Sequence, residues 1–517
     1  MAALGNKPTA IVVGAGMGGL VGAVELASQG WRVQLFDGAP ALGGKMRQVA
    51  VGQKQIDAGP TVLTLRDVFD DVFARAGTRL EHHVTLEPMA ILARHAWVDG
   101  STLDLHADVD RSAGAIADFA GAREAEGFRR FLAHARSIWQ TVEGPFVRAQ
   151  RPTPFGILRD HGMRALPMLA NIDSHRTLWR ALETYFRDPR LVQLFGRYAT
   201  YTGCSPFLAP ATLSLIAWVE SAGVWRVRGG IHQLAQALGD VLLGLGGEIF
   251  LNTNVAQITA DKGRATGVML ANGERIAADC VLFAGDASAL GTGLLGGAVK
   301  PAVAPTPAAK RSLSALTWCL DAQTAGFPLV HHNVFFGADS ASEFQAIFQA
   351  GALPPSPTVY VCAQDRDDRA TAEGPERLLV LVNAPARADV QPLSDAALAR
   401  CESATFDHLQ QLGLCIAPTT SCVRTSPAEF AERFPASGGA LYGAANHSWT
   451  ATLNRPGART AIAGLYLAGG TGHPGAGVPM AALSGRLAAD AICADHSATT
   501  PARARGPARW EIAREVP

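Results

Sequence analysis

The stretch Thr9-Ala10-Ile11-Val12-Val13-Gly14-Ala15-Gly16-Met17-Gly18-Gly19-Leu20 decides the fold. Ala10–Val13 is a short β-branched run, Gly14–Gly19 is a turn, and Leu20–Ser28 is a helix that stops near Gly30. Arg32–Phe36 is the second strand, with Asp37 at its end. This is one β–turn–α–β unit of a doubly wound domain. Gly14 allows the tight turn, Gly16 lets backbone approach a pyrophosphate, and Gly19 lets helix and strand pack closely. The free N–H groups at the helix start, with the helix dipole, attract the anion. Asp37 lies where an acid hydrogen-bonds a ribose hydroxyl, about twenty residues on. An acid there disfavours a 2′-phosphate, but it does not separate NAD from FAD.

Two further motifs make that separation. Gly43-Gly44-Lys45-Met46-Arg47 follows the second strand, as in flavoenzymes that extend the fingerprint to a GG[RK] element. Lys45 either meets the cofactor's phosphates or is a solvated surface charge; both readings stand at this point. Near the other end, Leu465–Ala468 is a strand, Gly469–Gly477 a Gly-rich loop, and Val478-Pro479-Met480 opens a helix through about Ile492. The positive end of such a helix would stabilise an anionic reduced flavin. A NAD-only dehydrogenase needs no second motif so far downstream, so FAD is the expected cofactor.

At 517 residues the chain exceeds the roughly 250–300 at which single cores split. Hydrophobic residues at 48% supply a large core and leave some apolar surface for a ligand. Lys+Arg and Asp+Glu both number 45, so no basic excess points to nucleic acid. The eight cysteines form no CxxC pair, so neither a disulfide framework nor a metal site is expected. The N-terminus reads as carrying no signal peptide, and no spanning segment is recognised. The expected class is α/β: a Rossmann-like FAD-binding domain (residues 1–106, 225–300 and 455–495) interleaved with a mixed α+β substrate domain. The latter takes 107–224, mostly helical and membrane-facing, and 301–454; residues 496–517 are expected to be a disordered tail. Ala265–Leu270, Asn272-Gly273 and Glu274–Ala278 read as a hairpin.

The motifs resemble those of the bacterial-type carotenoid (phytoene) desaturase family. The matching residues are Val12–Leu20, Gly43–Lys45, Asp57–Thr61, Gly229-Gly230 with Leu234 and Ala235, and Leu465–Ser484. Within the family, Asp57–Leu65 and Leu92–Trp97 look most like the 1-hydroxycarotenoid 3,4-desaturases, also called methoxyneurosporene dehydrogenases, of spheroidene and spirilloxanthin synthesis. Asp37 stands where the family more often has Glu. The resemblance implies that Gly14, Gly16, Gly19, Asp37, Gly44, Lys45, Val255, Asp286, Gly470 and Val478 line an FAD site. Val255 also reads as a core strand residue, and Asp286 as a helix N-cap.

A carotenoid substrate is implied, with oxygen or a membrane quinone as electron acceptor. Hydride would pass to flavin N5 from the allylic carbon of the bond oxidised, a proton leaving its neighbour; no catalytic base stands out. Arg197, Tyr198, Tyr201 and Trp225 are the expected substrate residues, among a wider aromatic set of Trp179, Tyr185, Phe186, Phe195, Phe207 and Trp218. For each aromatic residue alone, ordinary core is the stronger reading. Thr200, Tyr201, His232 and Arg197 are candidates for a hydroxyl end group. The substrate's home in the bilayer implies peripheral contact with the inner membrane from the cytoplasm. Phe155–Ala170 reads as a surface-lying amphipathic helix or as core. Competing functions are a phytoene desaturase, a carotenoid isomerase, a flavin amine oxidase, and a non-catalytic isoprenoid carrier on the same fold.

Overall fold

The computed structural model describes residues 7–151, 162, 171–367, 374–417, 421–448, 451 and 453–499. The candidate surface helix, Gly162 apart, and residues 500–517 lie outside that set. A five-stranded parallel sheet organises the first layer. Its order is Leu465–Leu467, Cys280–Phe283, Thr9–Val13, Arg32–Phe36 and Glu248–Phe250. Three distant parts of the chain therefore share one sheet. The strands Thr9–Val13, Cys280–Phe283 and Leu465–Leu467 are short, largely buried apolar runs, as parallel strands covered by helices must be, whereas the edge strand Glu248–Phe250 is largely exposed. The helix Met17–Ser28 is buried from Met17 through Ala27 and packs against Val478–Thr499. That last helix runs on past Ile492 to Thr499, so the first residues of the expected tail are helical; His496 rests edge-on against Trp31 at 4.9 Å. The hairpin forms as read, with Arg264–Leu270 antiparallel to Arg275–Ala277.

A seven-stranded sheet forms the second layer, in the order Cys422–Thr425, Ser314–Ala322, Glu376–Ala384, Val359–Ala363, His332–Phe335, Ile91–Ala96 and Thr102–His106. Neighbours are antiparallel except His332–Phe335 beside Ile91–Ala96, which are parallel. The sequence reading placed Ile91–His106 with the FAD-binding segments. The structure instead pairs these strands in the second sheet, through backbone bonds to a partner far along the chain that local pattern does not reveal.

The strand Glu376–Ala384 shows how this sheet serves the site. Successive side chains point to opposite faces. Leu378, Val380 and Val382 enter an apolar core beneath the helix Asp395–Gln411, while Leu379, Leu381 and Asn383 face a large cavity. Slipping this strand by one residue would drive the Asn383 amide into that core at about 1–3 kcal/mol.

Most of the aromatic set is core rather than cavity wall. Phe186 and Phe195 stack at 5.0 Å, Phe128 and Phe131 pack on Phe195, and all are buried. Trp179 packs on Phe207 at 4.4 Å, away from the cavity. These rings hold the helices Ala122–Val142, Leu178–Leu182 and Pro189–Gly196 together, and so aim the following 3₁₀ turn, Arg197–Thr202.

Candidate functional site

The glycine turn is built for a close visitor. Gly14 takes φ +108°, a conformation that favours glycine, and donates its N–H to the Phe36 carbonyl at 2.8 Å. Gly16 is the extended N-cap of the first helix, and a Cβ there would meet nothing within 4 Å. The space in front of it belongs to a cavity of about 1570 Å³. Gly19 does not line that cavity: it packs so tightly on the turn that a Cβ would fall 1.9 Å from the Gly14 carbonyl oxygen. It makes the close helix–strand contact read from the sequence.

Asp37 sits at the edge of this cradle. One carboxylate oxygen accepts the Ala15 N–H at 2.6 Å and the other the Ala39 N–H at 2.7 Å. Each oxygen keeps a further lone pair for a hydroxyl entering from the cavity. Val255 lines the same space at the head of its strand. Asp286 does so too, while capping a short helix by accepting the Ser288 N–H at 2.9 Å, as the N-cap reading expected.

Lys45 is not a surface charge. It lines the cavity and is partly covered by the segments packed around it. Its Nζ donates to the Leu441 carbonyl at 2.6 Å and sits 5.2 Å over the Phe434 ring. Burial lowers its pKa, opposed by the charge of Asp286. Gly44 takes φ +57° and would bring a Cβ within 3.0 Å of Gly16, which explains the glycine before Lys45. Gly470 and Val478 lie across the cavity on the C-terminal loop and helix.

Arg455, which sequence reading missed, holds that loop. It is 2% exposed, and no carboxylate pairs with it among the described residues. Its guanidinium donates to the carbonyls of Gly470 (2.9 Å), Ala444 (2.8 Å) and Tyr442 (3.2 Å). No local motif marks this residue; only its lack of solvent and of a charged partner does.

Away from the glycines the wall is apolar, with Val142, Phe146, Leu213, Ile216 and Val219. Among the polar groups that interrupt it is one cluster with charged members. Arg197, Tyr201 and Glu220 line the cavity together. Glu220 is 6% exposed; one of its oxygens accepts from Tyr201 at 3.1 Å and the other from Tyr198. Burial raises its pKa, and the two phenols oppose the rise. Tyr198 and Trp225 do not line the cavity, contrary to expectation. Tyr198 sits behind Glu220, and Trp225 bonds through its backbone N–H to Leu63 while its ring covers Gly223. His232 lines the cavity with both ring nitrogens engaged, to the Met46 carbonyl at 2.7 Å and to Gln236 at 2.8 Å. The buried donors of His331, His332 and Cys362 come within 4.8 Å of one another in the second sheet, a grouping that spacing did not suggest.

Comparison with known proteins agrees with this geometry. The family model described as flavin containing amine oxidoreductase matches residues 17–493. The hydroxyneurosporene desaturase of Rubrivivax gelatinosus is 50% identical over 497 residues, covering 95% of this chain and 94% of that protein. That of Cereibacter sphaeroides is 47% identical, covering 94% and 98%. The 4,4′-diapolycopene oxygenase of a Methylomonas species is 28% identical, covering 94% and 98%. Among solved structures, an oxidoreductase from Methanosarcina mazei superposes with TM-score 0.56 at 16% identity, covering 92% of this chain and 99% of the other. Cyclohexylamine oxidase from Brevibacterium oxydans does so with TM-score 0.55 at 15%, covering 95% and 100%. At such identities the two structures share the fold alone.

Proposed function

Since the chain belongs to the flavin containing amine oxidoreductase family, we propose that it is an FAD-dependent desaturase that removes two hydrogens from C3–C4 of a 1-hydroxycarotenoid such as 1-hydroxyneurosporene. The observation that carries this reading is the continuity of the cavity. One space of about 1570 Å³ joins the glycine cradle, Asp37 and Lys45 to long apolar walls. Ligand pockets usually hold roughly 300–1,000 Å³, so the surplus suits a cofactor and an apolar chain together. Relatives named hydroxyneurosporene desaturase, at 43–50% identity, support the substrate class over the amines of the structural neighbours.

The residues present fit FAD. Gly16 leaves an open approach, Asp37 keeps acceptor capacity for the ribose, and Lys45 brings a buried cation facing anionic groups. Gly14, Gly44, Val255, Asp286, Gly470 and Val478 complete the lining, and Gly19 supports it from behind. When bound, FAD accepts the hydride. The chain's part is to keep water out with its apolar walls and to hold the polyene in one register. We assign no catalytic base. Delivery of an apolar substrate that resides in the bilayer calls for peripheral contact with the inner membrane; no described helix is long and apolar enough to cross a membrane. Oxygen or a membrane quinone serves as electron acceptor.

The purified chain, supplied with FAD and 1-hydroxyneurosporene in liposomes, should give a product lighter by two hydrogens. A product of unchanged mass would mean isomerisation, and one gaining oxygen would mean oxygenation. A protein that takes up no flavin would refute both the desaturase and the isomerase. Lys45→Met should weaken FAD binding at least tenfold, about 1.4 kcal/mol, in a flavin fluorescence titration. Unchanged affinity would remove Lys45 from the cofactor site.

A further inference from the structure

Glu220 is an anomaly in the apolar wall. It belongs to the helix Leu215–Ser221, where Ile216, Val219 and Glu220 share the face turned to the cavity. A lone carboxylate in such surroundings is costly unless hydrogen-bonded. Tyr198 and Tyr201 supply one donor to each oxygen, which leaves about half of the carboxylate's acceptor sites unused. Beside it, Arg197 donates to the Tyr201 hydroxyl at 3.4 Å. Its guanidinium lies between the Tyr201 and Tyr360 rings, 5.5 Å and 5.4 Å from their centres. No carboxylate forms an ion pair with Arg197 among the described residues. Five guanidinium N–H donors are therefore mostly unspent.

Several of the other polar groups on the wall already have partners. Thr200 donates to the Arg197 carbonyl at 2.7 Å. The Tyr360 hydroxyl bonds both Thr61 and His332, each at 2.7 Å. Asn383 donates to Glu343 at 3.3 Å, and Asn446 accepts from Arg455. His232 is saturated, as described above. Free acceptor and free donor capacity thus meet at Glu220 and Arg197.

We infer that Glu220 and Arg197 form the subsite that selects the tertiary hydroxyl of the substrate, the hydroxyl donating to Glu220 and accepting from Arg197, with Tyr198 and Tyr201 positioning the carboxylate. The place of this pair supports the assignment. The turn that carries Arg197 ends at Gly203, where a Cβ would lie 2.5 Å from the Tyr442 ring; Gly443 in turn would bring one within 3.1 Å of Thr471 on the C-terminal loop. The turn that carries Arg197 therefore ends against the segment that leads to the C-terminal loop, and both line the same cavity. In a 1-hydroxycarotenoid, C3 is two bonds from the carbon that carries the hydroxyl. Anchoring the hydroxyl here would fix C3–C4, rather than a bond further along the polyene, close to one end of the substrate chain. A site built to hydrogen-bond a substrate hydroxyl also rejects analogues that lack it, because its own polar groups are then left unpaired.

The inference takes its substrate from the desaturase reading, and the test separates the two. Binding of 1-hydroxyneurosporene and of neurosporene to the FAD-loaded full chain is measured in liposomes by quenching of tryptophan fluorescence. The unsubstituted protein should prefer the hydroxylated carotenoid at least tenfold. Glu220→Gln and Arg197→Met should each cut that preference at least fivefold. Should Glu220→Gln fail to fold, Arg197→Met and Tyr201→Phe decide the question. A preference that survives in folded variants, equal weakening of both carotenoids, or no preference in the unsubstituted protein overturns the inference. Turnover on the same samples is scored apart: a preference without any product two hydrogens lighter would refute the desaturase and leave the hydroxyl subsite standing.

Discussion

Gly19→Ala is expected to yield misfolded protein without flavin, whereas Gly16→Ala is expected to fold normally and fail only in cofactor binding. The two glycines stand three residues apart in one motif, yet their surroundings differ. A Cβ on Gly19 would lie 1.9 Å from the Gly14 carbonyl oxygen and 3.0 Å from the Ala284 side chain. That oxygen is backbone, and its turn is tied to Phe36. The helix cannot retreat, because it is buried along nearly its whole length. Relief must therefore open the helix–strand contact at the centre of the parallel sheet. We expect a loss of more than about 4 kcal/mol, in the range reserved for gross core disruption.

Gly16 faces open space and has an ordinary extended backbone. Alanine there loses only the modest N-cap preference of glycine, under about 1 kcal/mol. Its methyl would instead occupy the cavity space proposed for the pyrophosphate. Thermal unfolding of the two apo-proteins and a flavin titration check both halves. A stable, flavin-binding Gly19→Ala protein would contradict the packing role.

Arg455→Met should be the most damaging change outside the glycine motif. Methionine roughly fills the volume but supplies no donor. The carbonyls of Gly470, Ala444 and Tyr442 would lose their common partner, at about 1–3 kcal/mol for each group left buried and unsatisfied. Partial relaxation should leave a net cost of about 3–5 kcal/mol, similar to breaking other buried charge clusters. Those carbonyls belong to two separate stretches of the cavity wall, so flavin retention should fall along with the melting temperature. Arg455→Lys should recover only part of the loss, because one ammonium cannot reach three divergent carbonyls as a planar fork does. A melting temperature within error of the unsubstituted protein would show that the guanidinium does not hold the loops.

The cofactor half of the site was legible in the sequence because its residues act as contiguous motifs. The glycine turn, the acid that ends the next strand and the C-terminal loop each carry their chemistry within a few residues, and backbone conformation alone decides whether they work. Family resemblance across the C-terminal stretch then pointed to a carotenoid. The aromatic middle of the chain was less informative. Its rings have the composition of either a core or a tunnel, and composition does not say which way a ring turns. Phe186 and Phe195 turned inward to each other, Trp225 covered a glycine, and Tyr201 alone of that set reached the cavity.

By itself, then, the sequence determined that this is a doubly wound dinucleotide-binding protein with a second flavin-type motif, because those features depend on local backbone shape and spacing. Tertiary structure decided which charges are buried and what they face. Lys45 became a cavity cation only because the segment around Leu441 closes over it. Arg455 became a loop clamp only where three carbonyls converge. Glu220, unremarkable in its own helix, gained its meaning when the turn of Arg197 and Tyr201 folded against it. The energy of a charge depends on its solvent and its partners, and both are supplied by segments remote in the chain.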